Sequence, residues 1–475
     1  MKSFETEAPV DERIAWRALI VILGATVMVA LDTTIVNVAL DDIGKALGGG
    51  RNVEWVVTSY LLAVCVSQPA TGWMANTFGA RRVLRVSLAV FTAASLACAA
   101  APNLGFLIAA RVVQGLGGGA LMPVGMAMVL GLFRRERHGR AISVWGMAAT
   151  LAPAIGPTMG GWIVTSVSWH WLFLINGPVG VATYLAGLRM LPDVGVRERR
   201  PFDAVGLLLG SGGLSLAVLG LSEGNTWGWR SSATTATIAI GLLALIGFVF
   251  RELRTDHPLI ELRMFRDRSF RLAIGALLFV YIAHFGRLVF IPLQLEGLRG
   301  DTALKVGLLF LPAGLVQAAA MPTGGRLMDK IGPRLPIMVG CVAMFVAAVG
   351  FATIRLSTPL WLIELCMCLN GFGMGILTAP ALVAGISDLP KHLVSQGTAV
   401  RSLFGQVSGA IAVAALGAVV AGRSGTSTSA AHIQSAYDAA FAVAALGVIA
   451  SIVLASRLPR HTSANASVVP LTHIE

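Results

Sequence analysis

The sequence predicts an all-α integral membrane protein: two six-helix bundles plus an inserted central helix pair, about fourteen transmembrane helices in all. Three observations lead there. First, 56% of the 475 residues are hydrophobic and 13% charged, with a mean hydropathy of +0.77, too apolar for a water-soluble globule. Second, apolar runs long enough to cross a ~30 Å hydrocarbon core recur from end to end. Third, a glycine-punctuated loop pattern occurs twice, eight predicted helices apart. That spacing fits six-helix repeats separated by an extra pair.

Taken in order, residues 1–13 read as a cytoplasmic tail. The runs 16–40, 53–75, 83–101, 104–132, 139–164 and 171–191 make a first bundle over 14–191. The runs 203–222 and 232–250 form the inserted pair, and 251–269 is a basic cytoplasmic loop. A second bundle over 270–457 comprises 270–294, 304–328, 335–355, 359–387, 398–422 and 438–457, before a cytoplasmic tail at 458–475.

Basic residues set the orientation, because cytoplasmic loops collect Lys and Arg. With the N-terminus inside, the inner segments hold Arg81, Arg82, Arg85, Arg134, Arg135, Arg137, Arg140, Arg189, Arg197, Arg199 and Arg200, and then Arg251 to Arg271. The outer segments hold only Lys45, Arg51, Arg230, Arg299, Lys305, Arg355 and Arg423. Both termini are therefore expected in the cytoplasm. Trp55, Trp169, Trp171, Trp227, Trp229 and Trp361 fall at predicted outer helix ends, as interfacial anchors would.

The formal charge of +12 does not indicate nucleic acid, since no basic cluster adjoins a folded polar domain. Cys65, Cys98, Cys341, Cys366 and Cys368 lie inside apolar runs without metal-ligand spacing and read as small buried hydrophobes. The first run is too long for a cleavable signal and is expected to remain as the first helix. No metal or cofactor is expected.

Asp32 places a carboxylate near the end of the first apolar run. A mid-helix Asp costs roughly 2.5–3.5 kcal/mol on insertion scales, so it either sits at the interface or faces a water-filled pathway. Arg111 and Gln114 share a face of the fourth helix, beside Gly115 and Gly119, which form a small-residue packing surface. Arg111 is either a residue snorkelling to the outer headgroups or a fixed positive charge facing the cavity. In the fifth helix, Pro153, Gly156, Pro157, Gly160 and Gly161 permit a kink or close packing at a cavity wall. Gly371, Gly373 and Gly375, with Pro380 beyond, make a comparable site in the second half.

The second half has its own polar stripe, His284, Arg287 and Gln294, on one face of the ninth helix. Glu364 on the twelfth helix is either the partner of Arg287 or an interface residue beside Trp361. Asn37 and Asn370 complete the cavity candidates, and Arg401 reads as an inner-end anchor. Two motifs fail on context. Gly115 to Ala120 matches a dinucleotide pattern but follows no strand. Gly220-Leu221-Ser222-Glu223-Gly224 matches a nucleophile elbow without its strand–turn–helix setting.

The repeated loop is Gly72-x-x-x-Asn76-x-x-Gly79, followed by Arg81 and Arg82, and Gly325-x-x-x-Asp329-x-x-Gly332, followed by Arg334. Parallel halves of this kind are a transporter design with the substrate cavity at the repeat interface.

Together with Leu31 to Leu40, Arg111-Val112-Val113-Gln114-Gly115, Gly156 to Gly161, Trp169 to Pro178 and Phe202 to Gly206, these motifs resemble the major facilitator superfamily. Within it, the chain is similar over residues 14–457 to the fourteen-helix drug:proton antiporters of the QacA/EmrB type. The family usually carries Asp where Asn76 stands, which implies a weaker inner latch in the first half. Asp41 stands where a Pro often follows the first-helix motif. The resemblance implies proton coupling at Asp32, assisted by Arg111, with Gly72 to Arg82, Gly156 to Gly161 and Gly325 to Gly332 as conformational motifs. The expected function is proton-coupled efflux of small amphipathic drugs or antibiotics across a cell membrane, here a bacterial inner membrane, by a chain working as a monomer among membrane lipid. A proton-coupled importer is the alternative on the same fold. A membrane enzyme or sensor would need a catalytic cluster or a soluble domain, and neither is visible.

Overall fold

The computed structural model describes residues 11–459 except 49, 195–200, 223, 229–230, 256–257, 302, 387–388, 391–392 and 425–428. Within that range the side chains of 41, 50, 51, 135, 157, 221, 222, 225, 226, 303, 304, 406 and 410 also lie outside the description. Most of both tails, Arg197, Arg199, Arg200, Glu223, Trp229 and Arg230, and the side chains of Asp41, Arg51, Arg135 and Pro157, are therefore outside the described residues.

The described chain is helical. Its long helices in the first part are α1 (Glu12–Ile35), α2 (Trp55–Ser67), α3 (Thr71–Phe78), α4 (Ala80–Ala99), α5 (Leu104–Leu132), α6 (His138–Ser166) and α7 (Asn176–Met190). Then come α8 (Ala204–Ser222) and α9 (Ser232–Arg254). The remainder are α10 (Arg268–Arg299), α11 (Ala303–Ile331), α12 (Arg334–Phe351), α13 (Leu360–Ile386), α14 (Val394–Ile411) and α15 (Ala430–Ser456). Among the described residues, eleven helices are long and apolar enough to cross a membrane, or twelve when the bent pair α2–α3 is one span.

Several boundaries differ from the sequence expectation. Asp11 caps α1 by accepting from Arg13 N at 2.8 Å, so the tail before the first helix is shorter than 1–13. The first run leaves α-helical geometry at Ile35, passes through a 3-10 turn at Val36–Ala39 and resumes as Leu40–Leu47. The second run bends by 54° between α2 and α3. Pro69 supplies no N–H there, and the Ser67 hydroxyl turns back onto Val64 O at 3.1 Å. The last helix starts at Ala430 rather than 438 because its polar first turns are satisfied by tertiary partners. Gln434 donates to Ile354 O at 2.7 Å, and Arg355 pairs with Asp438 at 2.6 Å.

The helices up to Met190 pack largely on one another: α5 runs beside α2 and α4, and α1 touches α5, α6 and α7. The helices from Arg268 repeat the scheme, with α13 against α11 and α12, and α10 against α13, α14 and α15. Glycine rows allow the close approach. A Cβ on Gly115 would stand 2.5 Å from Tyr60 O on α2, and one on Gly119 would collide with Ser67 Oγ. Gly371 and Gly375 of α13 meet Ala313 O and Gln317 O of α11 in the same way. The glycines at 371, 373 and 375 are thus counterparts of the fourth-helix row, not of the fifth-helix proline–glycine site. Gly79 and Gly332 both turn the chain with positive φ, 88° and 83°, where a Cβ is strained.

Trp171 and Trp361 are exposed, as interfacial anchors should be, but Trp169 is only 5% exposed. It stacks on His170 at 3.7 Å and meets Phe173 edge-on, so packing rather than anchoring fixes it. The five cysteines are free thiols, buried or half-buried.

The inserted pair α8–α9 packs on itself, and α8 also leans on α2, where Ser211 donates to Val66 O at 2.7 Å. Asp203 ties the pair together. Its carboxylate accepts from Gly206 N at 2.8 Å, capping α8, and from Arg251 Nε of α9 at 2.9 Å. Burial pushes the Asp203 carboxyl up, but the bonds from Arg251 and Gly206 outweigh it and hold the group below the usual carboxylate range. Removing such a cap costs about 1 kcal/mol, so Asp203→Ala should lower thermal stability in detergent by that order. A carboxylate with a depressed folded pKa stabilises above its unfolded value and loses that contribution as pH falls through the folded value. The difference between variant and wild type should therefore shrink below about pH 4. Equal unfolding midpoints at pH 7 would refute this role.

Candidate functional site

Asp32 is 1% exposed, on the last turns of α1, and Arg111 on α5 is equally buried. Burying either charge alone would cost several kcal/mol, so each needs partners for its charge and its hydrogen-bonding atoms. The structure supplies them. Arg111 Nη1 lies 2.6 Å from Asp32 Oδ2, and the same nitrogen donates to Gln114 Oε1 at 2.7 Å. Gln114 Nε2 then donates to Asp32 Oδ1 at 2.9 Å, closing a three-residue ring. Arg111 Nε donates to Val56 O of α2 at 3.0 Å, and the guanidinium lies 4.1 Å over the Tyr60 ring.

Two further helices complete the network. Asn176, at the start of α7, donates to Asp32 Oδ1 at 3.4 Å and to Ser95 Oγ of α4 at 2.9 Å. Ser95 in turn donates to Phe173 O at 3.0 Å and accepts from Gln114 at 3.2 Å. Sequence reasoning missed Ser95, Asn176 and Tyr60. Asn176 lay within the quoted Trp169–Pro178 motif, and nothing local distinguishes Ser95 from other hydroxyls in apolar helices. The interfacial readings of Asp32 and Arg111 are excluded by their burial. Asn37 stands outside the network, exposed and donating to Thr33 O of its own helix at 3.4 Å.

Beyond Asp32, Gly156 and Gly160 of α6 press on the end of α1. A Cβ at Gly160 would come 2.8 Å from Ile35 O, and one at Gly156 would meet the Thr34 hydroxyl. Gly161 is looser, 3.7 Å from Val38.

The second half is arranged differently. His284 Nδ1 lies 3.3 Å from Asn370 Oδ1, joining α10 to α13. Arg287 and Gln294 are buried on α10. Nε and Nη1 of Arg287, and both side-chain polar atoms of Gln294, have no hydrogen-bond partner among the described residues. The pairing of Arg287 with Glu364 is not formed. Glu364 instead accepts from Cys368 of its own helix at 3.3 Å, while the Arg287 guanidinium lies 5.2 Å from the Phe310 ring centre. Arg401 is not a simple anchor. It donates to Tyr281 OH at 2.9 Å and reaches Met126 Sδ, in the other half, at 3.4 Å.

Contacts between the halves gather towards the face with the arginine-rich loops. Asp329 Oδ1 accepts from Gly139 N, in the first turn of α6, at 3.0 Å. Ser143 Oγ donates to Met321 O at 2.7 Å, and a Cβ at Gly325 would collide with Gly139 O. On the other diagonal, Gly72 of α3 faces the start of α14, where a Cβ would stand 3.0 Å from Gln396 Cα. Thr398 Oγ1 donates to Pro123 O at 3.1 Å. Arg81 is held by Leu188 O at 3.1 Å, and Arg82 is exposed.

A family model described as Major Facilitator Superfamily matches residues 22–413. The chain is 34% identical over 396 residues to the "Multidrug resistance protein B homolog" of Mycobacterium tuberculosis (strain ATCC 25618 / H37Rv), covering 82% of this chain and 73% of the relative. It is 31% identical over 415 residues to the "Tetracenomycin C resistance and export protein" of Streptomyces glaucescens, covering 86% and 77%. Among solved structures, the proton:xylose symporter XylE superposes with a TM-score of 0.63 at 14% identity, covering 92% of this chain and 95% of that one.

The closed ring of Asp32, Arg111 and Gln114 makes a prediction about coupling. Arg111→Met leaves a buried carboxylate without its cation, which costs roughly 3–5 kcal/mol. The double variant Asp32→Asn with Arg111→Met should recover about half of that loss or more. Thermal unfolding of the four proteins of the cycle in one detergent measures the coupling. Additive losses would show that the pair contributes no mutual stabilisation.

Proposed function

Because the chain belongs to the Major Facilitator Superfamily, and its members are transporters rather than enzymes, we propose that it exports small amphipathic organic compounds in exchange for protons. The observation that carries this reading is the buried Asp32–Arg111 pair, a titratable group and its counter-charge held inside the first half. Counting α6 and α8 as further crossings gives about fourteen spans. The domain reading is a bundle over 14–191, an inserted pair over 203–250 and a bundle over 270–457. Relatives named for multidrug resistance and for tetracenomycin C resistance and export favour efflux over import.

The chemistry follows from charge balance. When a proton reaches Asp32, the ion pair loses its negative member and Arg111 becomes an uncompensated buried cation. That state costs several kcal/mol unless the helices rearrange to hydrate the guanidinium. Helix α6 can carry the change. Its middle presses on α1 two and three residues beyond Asp32, at Thr34 and Ile35, and its first two turns meet Asp329, Met321 and Gly325 of α11. Strain at the proton site thus reaches the contact between the halves through one continuous helix. One charge moving across ~100 mV supplies about 2.3 kcal/mol, and a pH unit about 1.4 more. Together these sustain a gradient of several hundredfold for a neutral solute, at about 1.4 kcal/mol per tenfold.

Two experiments test this reading. In vesicles with an imposed pH gradient, Asp32→Asn should abolish gradient-driven transport while substrate affinity stays within about threefold. Full gradient-driven transport in that variant would overturn the coupling. At the latch, Asp329→Ala removes the acceptor at the first turn of α6, worth about 1 kcal/mol, and should shift the closed–open balance about fivefold towards separation. Distances between spin labels on the arginine-rich loops of the two halves read this shift, and unchanged distributions would count against the latch.

A further inference from the structure

The two halves differ in how their buried charge is answered. In the first half the cation of Arg111 has a carboxylate, an amide oxygen and a backbone carbonyl within 3.0 Å. In the second half Arg287 is 4% exposed, lies about midway along the 32-residue helix α10, and finds no acceptor for Nε or Nη1 among the described residues. A guanidinium carries five donors in a planar fork and cannot shed its charge, so it is the side chain least able to remain without an acceptor. Gln294 repeats the pattern. It is 1% exposed, and neither its amide nitrogen nor its oxygen is bonded among the described residues.

These are not scattered defects. Residues seven apart on a helix lie on one face, about 10.5 Å apart along the axis. The same face meets an aromatic wall at Phe310 of α11, 5.2 Å from the guanidinium. His284, one turn before Arg287, is already engaged with Asn370. Glu364 and Cys368 on α13 bond to each other, and the Glu364 carboxylate offsets part of the Arg287 charge through space without forming an ion pair with it. What remains without a hydrogen-bond partner among the described residues is therefore two nitrogens of a fixed cation, beside an aromatic face, and an amide two turns further on.

We propose that Arg287 and Gln294 form a substrate subsite in the second half, which takes the anionic oxygen of an aromatic solute, a carboxylate or phenolate, against Phe310. Arg287 receives the oxygens through its planar fork, the ring of the solute lies along Phe310, and Gln294 bonds a second polar group about 10 Å away. This deepens the export reading and rests on it for the direction of movement. It also divides labour between the halves, with proton handling around Asp32 and solute charge read at Arg287.

The test is equilibrium binding to the full chain in nanodiscs of zwitterionic lipid, using fluorescein as the anionic probe and rhodamine 6G as a cationic one of similar size. Wild type should bind fluorescein more tightly than rhodamine 6G. Arg287→Gln should weaken fluorescein binding at least about tenfold, the worth of one charge-assisted hydrogen bond, and leave rhodamine 6G binding unchanged. Arg287→Lys should fall between, since it keeps the charge and loses the fork, and Gln294→Leu should weaken fluorescein binding less than Arg287→Gln. Adding phosphatidylglycerol to the nanodiscs should leave the fluorescein affinity unchanged. Competition by that lipid would show an anionic headgroup as the occupant and overturn the solute subsite. A preference for the cation, equal losses for both probes, or no effect of Arg287→Gln on folded protein would each overturn the proposal. Arg287-dependent binding without gradient-driven transport by wild type would instead fail the export reading and leave the subsite standing.

Discussion

A charge pair inside an apolar bundle is tolerable only when its polar atoms are answered, and the packing of the first half follows from meeting that condition for Asp32 and Arg111. Five helices contribute: α1 the carboxylate, α5 the guanidinium and the amide, α2 a carbonyl and an aromatic face, α4 a hydroxyl and α7 a second amide. The tolerance is narrow, because hydrogen bonds of 2.6–3.0 Å require the helix axes to be fixed against rotation and slip. The glycines at 115 and 119 serve the same end by letting α5 approach α2 closely enough for Arg111 to reach Val56 O. A larger residue at either would separate the helices and leave the guanidinium short of a partner.

The same constraint explains why the motifs around Asp32 lie where they do. Gly156 and Gly160 place α6 against α1 just past the carboxylate, and the other end of α6 abuts the second half at Gly139 and Ser143. In the proposed exchange, α6 relays a local electrostatic change at the charge site along its length to the opposite half. The inner loops are matched unequally to this task. Asp329 offers a carboxylate to a helix N-terminus, where a negative charge is favoured, while the corresponding residue of the first half is the neutral Asn76.

Much of this was legible in the chain. Hydropathy and loop charge give the helix order because lipid leaves few other structures possible, and Asp32 and Arg111 stand out since a charge in an apolar run is costly enough to demand a reason. What periodicity could not reveal is geometry that arises only between helices. Ser95 is an ordinary hydroxyl until α4 brings it against Gln114 and Asn176. Arg287 and Glu364 are opposite charges on adjacent helices, which invites pairing, yet Glu364 bonds within its own helix to Cys368. Trp169 carries the same local signal as Trp171, and only packing against His170 and Phe173 separates core from interface. The start of α15 was hidden because polarity in its first turns resembles a loop until Ile354 and Arg355 satisfy it.

The internal repeat carries the reasoning one step further. Gln114-Gly115-x-Gly117-x-Gly119 on α5 and Asn370-Gly371-x-Gly373-x-Gly375 on α13 run in register, and each amide meets a titratable side chain on the first helix of its half. Asp32 and His284 are therefore equivalent positions, but Arg111 is matched by Met367, which carries no charge. The fourth-helix position of the second half carries no fixed cation, while a cation stands on the first helix of that half at Arg287. There it cannot close a ring with His284, which is itself a base and offers no negative charge. This chain pairs its buried charge by direct contact at Asp32 and Arg111, and leaves Nε and Nη1 of the other buried guanidinium without an acceptor among the described residues, an asymmetry that suits the division proposed between a proton and a solute.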